Sequence, residues 1–360
     1  MNPRENLLSL YRRQGYAYAP VELNMCPAVI EKARAVVGAE LNLAAYFDYE
    51  QGFARIPVPG PKRAPGATPD WRALYPEPLH PDTNFSAYGV ANEGGRPGTH
   101  HLRRMHHPLA RADSLEQLQA YPWPRWDFAD IGDMVATVAR AHAAGWPAFG
   151  GMACSIWETA WYIRDMTVLM TDMALEDEKA TFVLDKITAD SIERARAFAR
   201  AGVDVLCLGD DIGMQSTIMM SVDMYRAWLK PRLAKVIAAA KAVKPDLLVQ
   251  YHSCGYIEPF IPDLIEVGVD ILNPIQPECM DFAKLHAQYG EQLSFNGTLG
   301  TQTTMPFGTP DDVRAVVERN LRRAGPRGGL LVTPTHMLEP EVPWANIAAY
   351  IEACKTFCNQ

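Results

Sequence analysis

No stretch of this chain approaches the roughly 18 consecutive apolar residues that a membrane-spanning helix requires. Basic blocks are missing as well: 34 Lys and Arg stand against 42 Asp and Glu, a formal net charge of -8. Without a concentrated cationic face, a polyanion such as nucleic acid is not an expected partner, and no membrane partner is expected either. The opening residues Met1-Asn2-Pro3-Arg4-Glu5-Asn6 lack the basic segment and apolar run of an export signal. Cysteine is scarce and odd in number, seven in 360 residues spread from Cys26 to Cys358. A disulfide framework is therefore not the reading, and a reducing cytoplasm is the expected location. A Gly-x-Gly-x-x-Gly turn is also missing, which removes the fingerprint of an open dinucleotide-binding sheet.

What is present is a globular composition, 48% hydrophobic and 21% charged. The length exceeds the roughly 250 residues of a plain βα barrel but falls short of two large domains, so residues 1–360 are expected to form one elaborated domain. From about residue 200 the chain alternates short runs of Val, Ile and Leu with longer stretches of helical period. Strands are predicted at 203–208, 247–251, 269–272, 293–295 and 330–333, each almost continuously apolar, as parallel strands covered on both faces should be. Helices are predicted at 225–242, 311–323 and 345–356. Thr309-Pro310-Asp311-Asp312 supplies a cap, a first-turn proline and early carboxylates for the second of these. Earlier in the chain, 20–25, 43–47 and 148–152 read as strands and 177–201 as a long helix. The fold expected is α/β, a (β/α)8 TIM barrel with an N-terminal extension. Segment 56–121, rich in Pro, Gly, His and Arg and weak in periodicity, is expected to be an irregular loop insertion over one mouth.

In such a barrel the reactive groups follow the strands. Five successive strand candidates here run into Gly209-Asp210-Asp211, His252-Ser253-Cys254-Gly255, Asn273-Pro274 with Gln276 beyond, Asn296-Gly297, and Pro334-Thr335-His336. His252 and Cys254, one residue apart, can chelate one ion, and His336 can supply a third ligand from a later strand. Three ligands of N and S type with an open fourth position suit catalytic zinc better than magnesium. A hydrogen-bonded histidine beside a buried thiol is the plainer alternative. Asp210 and Asp211 are the candidate catalytic acids, against a simple capping role. Glu158, Gln276 and Asn296 are the candidate substrate-binding groups, against satisfaction of loop backbone. The histidines 100, 101, 106 and 107 form a cluster read as solvated rather than ligating. Cys26, Cys154, Cys207 and Cys279 read as small hydrophobes, and Cys354 and Cys358 as helix packing.

Taken in order, Gly202-Val203-Asp204, Gly209-Asp210-Asp211, His252-Ser253-Cys254-Gly255, Gly268-Val269-Asp270-Ile271-Leu272-Asn273-Pro274 and Pro334-Thr335-His336 before Pro343 resemble the uroporphyrinogen decarboxylase superfamily. The likeness covers about residues 105–355 well and the N-terminal third loosely. It implies the (β/α)8 barrel and one of two chemistries: cofactor-free decarboxylation of tetrapyrrole acetate groups, or zinc-dependent methyl transfer to or from a corrinoid protein. True decarboxylases carry Met-Arg-Gln-Ala-Gly-Arg after the first strand, whereas this chain reads Leu23-Asn24-Met25-Cys26-Pro27 there. The corrinoid methyltransferases hold zinc with a His-x-Cys pair and a later Cys, and this chain resembles them in the pair but places His336 where the later Cys would stand. The resemblance thus implies a cytoplasmic zinc methyltransferase, with Zn2+ on His252, Cys254 and His336. Its substrates would be a small methyl donor or thiol acceptor and a methylcorrinoid. The corrinoid, or cobalamin, would be carried by a partner protein, since the Asp-x-His-x-x-Gly pattern that binds it is missing here. The alternative is a metal-independent carboxy-lyase acting on a tetrapyrrole or related carboxylate, with Asp210 or Asp211 stabilising ring charge and His336 passing protons.

Overall fold

The computed structural model describes residues 1–50, 52–61, 69–95 and 103–357. Among these, ten strands form two sheets: β1 (Ala54–Ile56), β2 (Asn84–Phe85), β3 (Ala91–Gly94), β4 (Arg103–His106), β5 (Ala148–Ala153), β6 (Val205–Gly209), β7 (Leu248–His252), β8 (Ile271–Asn273), β9 (Ser294–Asn296) and β10 (Leu330–Leu331). The larger sheet is a curled, wholly parallel array in the order β1-β5-β6-β7-β8-β9-β10, each strand paired with the next. Fifteen α-helices among the described residues lie around it, so the fold is mixed α/β and TIM-barrel-like. No helix among the described residues is long and apolar enough to cross a membrane.

Six of the predicted strands meet observed ones, and two do not. Segment 20–25 contributes a single parallel bridge, Met25 to Leu338, in place of an eighth strand. Leu43–Phe47 is a helix: Asn42 accepts from the Ala45 amide, and Leu43 and Phe47, four apart, bury one face. Conversely β1, reading only Ala-Arg-Ile, lacks the length to show in sequence and is fixed by pairing with β5. The helix predicted at 225–242 is two, Val222–Trp228 and Lys230–Val243. Their junction at Leu229 comes just before Pro231, which has no amide to continue the first helix.

The helix Pro3–Tyr11 closes the N-terminal end of the sheet. Leu7, Leu8, Leu10 and Tyr11 pack with Phe149, Val205, Leu248, Ile271 and Leu331, one residue from each of five strands. Arg4 makes a bidentate contact with buried Asp204, and His142 Nε2 lies 2.9 Å from the same carboxylate.

Within 56–121 the structure has more order than the sequence shows. β2, β3 and β4 form an antiparallel sheet. The segment docks beside the sheet: Leu109 bonds to Ile163, Arg164 Nη1 donates to the carbonyls of Leu109 and Ala112, and Tyr88 donates to Asp190 on the long helix Glu178–Ala201. Of the histidine cluster, residues 100 and 101 lie outside the described residues. His106 faces Glu93, and His107 Nδ1 lies 2.8 Å from the Tyr162 carbonyl. Cys354 is buried in the last helix, as read from sequence, and Cys358 lies outside the described residues.

Candidate active site

Parallel pairing sets the C-terminal residues of the central strands side by side. Gly209 of β6 is in register with His252 of β7, and His252 with Asn273 of β8. His252 Nδ1 lies 2.6 Å from Asn273 Oδ1, and Asn273 Nδ2 donates to the Asn296 carbonyl at 3.1 Å. That second bond commits the Asn273 amide oxygen to the imidazole, so Nδ1 carries the proton and Nε2 keeps its lone pair. The Nε2 lies 3.5 Å from Cys254 Sγ and 3.8 Å from Asp211 Oδ1.

Among the described residues, Asp211, His252 and Cys254 form a group whose ligand atoms all fall within 4.8 Å of one another. Donors at about 2.0–2.3 Å from a tetrahedral ion would stand about 3.3–3.8 Å apart, so the separations about His252 Nε2 already fit a zinc-sized centre. The charge balance fits too. Burial, then the nearby Asp211 and Glu158 charges, push the Cys254 thiol up to about 12. A partly buried thiol facing two carboxylates is a place where a cation is stabilised.

The turn that presents Asp211 is held from behind. Asp210, buried, accepts the amides of Ile156 and Glu158 and so caps the start of the helix Trp157–Arg164. Glu158 accepts the Tyr162 hydroxyl at 2.6 Å and the Asp211 amide at 3.2 Å. Burial, then the neighbouring carboxylate in each case, raises the pKa of both Asp210 and Glu158. Asp211 in turn accepts the Cys254 amide at 2.7 Å, and Gln276 Oε1 accepts that of Gly255. These contacts fix the His-x-Cys loop. Asn296 is buried at a cavity wall, where its amide donates to Gln250 and Tyr11 and accepts from Thr333.

Two adjoining cavities open here, sharing Thr335, His336 and Met337. The inner one, ≈ 330 Å³, has His252 in its wall together with Glu22, Arg55, Cys207, Gln250 and Asn273. The outer one, ≈ 340 Å³, has Cys254 and Gln276 in its wall. His336 stands at their junction with substantial exposed surface. Partial burial and then the nearby His252 lower its pKa. It is not in the 4.8 Å group, where Asp211 takes the third place.

Sequence reasoning placed Asn273 at a strand end without giving it a role, and passed over Arg55 and Gln250. Asn273 follows a predicted strand directly, and Gln250 is the one strongly polar residue within an apolar run, so both signals were present. Arg55 sits on a strand too short to read.

A family model described as uroporphyrinogen decarboxylase (URO-D) matches residues 99–357. No curated protein matches the chain. Among solved structures, a methyltransferase from Methanosarcina mazei is similar over 98% of both chains, at 20% identity and a TM-score of 0.66, which establishes likeness of fold. A B12-independent methionine synthase from Shewanella sp. W3-18-1 is similar over 64% of this chain and 65% of its own, at 13% identity and a TM-score of 0.43. With the family model covering well over half of its length, the chain belongs to the uroporphyrinogen decarboxylase family.

Proposed function

We propose that the protein is a zinc-dependent methyltransferase that moves a methyl group between a small methylated substrate or thiol and a corrinoid carried by a separate protein. The observation that carries this reading is the Asp211, His252 and Cys254 group, with the His252 lone pair aimed into it by Asn273. The family and the fold shared with the Methanosarcina mazei methyltransferase support it. A zinc ion held there supplies a Lewis acid that brings a thiol's pKa toward neutrality or polarises the heteroatom that bears the methyl group.

The chain's own residues do the rest. Asn273 keeps the imidazole in the ligating tautomer. Glu158 and Asp210 hold the turn that aims Asp211. His336, at the junction of the cavities, takes the proton that a thiol gives up. The inner cavity receives the small substrate, and the corrinoid approaches from the outer one.

Elemental analysis of protein purified without added metal is expected to find about one zinc per chain. The same protein should demethylate methylcobalamin in the presence of a thiol, read as loss of the cobalt–carbon absorbance. Metal-free protein that takes up none on incubation with zinc would end the proposal. Asn273→Ala should weaken zinc binding about 10–100-fold, the usual cost of removing a group that orients a ligating histidine. Unchanged affinity by competition with a chelating dye would show that the tautomer needs no such support.

A further inference from the structure

We infer that Arg55 and Gln250, which both line the inner cavity, form a carboxylate-binding subsite there and so select a small substrate that bears an acid group. The inference rests on the proposed function only for what happens at the substrate's other end.

Gln250 lies on β7 two residues before His252 and is 9% exposed. Its Oε1 accepts from Asn296 Nδ2 at 3.0 Å, and the Asn296 oxygen is itself occupied by the Thr333 hydroxyl. The Gln250 amide is thereby oriented, and its NH2 group has no acceptor among the described residues although the side chain lines the cavity. The NH2 group is therefore available to an acceptor that enters the cavity.

Arg55 on β1 is the one Lys or Arg among the residues lining this cavity. Among the described residues its one hydrogen bond runs from Nη2 to Glu22 Oε1 at 3.2 Å, which leaves most of its five N–H donors without a partner there. Glu22 and Arg55 line this cavity together with Gln250. Cys207, its neighbour in register on β6, feels the charges of Glu22 and Arg55. A guanidinium and an amide NH2 lining one cavity supply the kind of donors that the two oxygens of a carboxylate accept. Glu22 balances the guanidinium charge while the cavity is free, and the substrate's acid adds to that pair from the cavity side.

The test titrates the full-length protein with propionate, propane-1-sulfonate and 1-propanol, followed by ligand-observed NMR, with the metal content of every preparation measured alongside. Propionate is expected to bind at least about tenfold more tightly than 1-propanol and more tightly than the sulfonate, as a charge-assisted pair allows. Arg55→Met and Gln250→Leu should each weaken propionate at least about tenfold and leave metal content unchanged. Arg55 is largely exposed, so its variant tests the site even if Gln250→Leu does not fold. Equal binding of propionate and 1-propanol, preference for the sulfonate, or variants that bind propionate like the native protein would each overturn the inference. Metal-free protein that still binds propionate through Arg55 would instead leave the subsite standing and remove the zinc reading.

Discussion

Replacing Cys254 with alanine is expected to abolish stoichiometric zinc and, with it, methyl transfer, while the fold persists. The thiol is one of the three proposed donors, and its loss would leave an imidazole and a carboxylate, too few for a closed structural site and too weak for a catalytic one. The drop in affinity should exceed the about 10–100-fold of an orienting residue. Structural damage should be small because the Cys254 backbone amide holds the loop on Asp211, and its side chain makes only the long 3.5 Å contact with His252. The informative comparison is between Asp211→Asn and His336→Ala. Asp211→Asn keeps an oxygen for the Cys254 amide but loses the ligand charge. The geometry therefore expects zinc to be lost in Asp211→Asn and retained in His336→Ala, although His336→Ala should still slow turnover. Zinc lost only in His336→Ala would restore the ligand set expected from sequence and require the loop around Thr335 and Met337 to move inward on binding. Zinc affinity should also fall as pH falls, because ligation must displace the proton from a thiol whose pKa lies at about 12.

Asp204→Ala should be the most destabilising single change at the closed end of the sheet, by about 3–5 kcal/mol, the range for breaking a buried pair. The Asp204 side chain is 1% exposed, and it accepts two guanidinium nitrogens of Arg4, the Ala148 amide and a close approach from His142. Its removal strands the amide, frees Arg4 and loosens the helix that plugs the strand ends. Because Arg4 remains partly hydrated, the loss should lie toward the lower end of that range. Burial by itself would raise the Asp204 pKa, but the Arg4 hydrogen bond, the Ala148 amide and the charges of Arg4 and His142 outweigh it, and the net shift is downward. A carboxylate depressed in the folded state contributes stability that is present above the ordinary Asp pKa, about 3.9, and is lost as pH falls through the folded value. The native protein should therefore lose this contribution below about pH 4, and Asp204→Ala should show a flatter acid limb. Urea midpoints measured across that range check both statements. A variant as stable as the native protein at pH 7 would show that the helix is held by its leucines alone.

How far the sequence speaks for the fold follows from burial. Val205–Gly209 and Leu248–His252 are covered on both faces, so their apolar runs announce parallel strands. Residues 20–25 and Ala54–Ile56 stand beside the ladder's ends, where a strand needs fewer apolar residues and pairing decides the conformation. There the one-dimensional pattern misleads in both directions. Leu43–Phe47 shows the same limit, since five apolar residues suit a strand or a short buried helix until a cap chooses.

The site divides in the same way. Sequence alone determined that His252 and Cys254 share a strand end, that Asp210 and Asp211 follow another, and that His336 follows a third, because strand ends are read directly from where an apolar run stops. Only the tertiary structure decided that Asp211 rather than Asp210 faces the His-x-Cys pair. Adjacent residues leaving a strand point to opposite sides, and the helix Trp157–Arg164 claims Asp210 for its cap. Tertiary structure alone also brought Arg55 and Glu22 to the cavity wall and set the imidazole tautomer through Asn273. Those relations depend on distances between strands whose partners are far apart in the chain, and no local pattern encodes them.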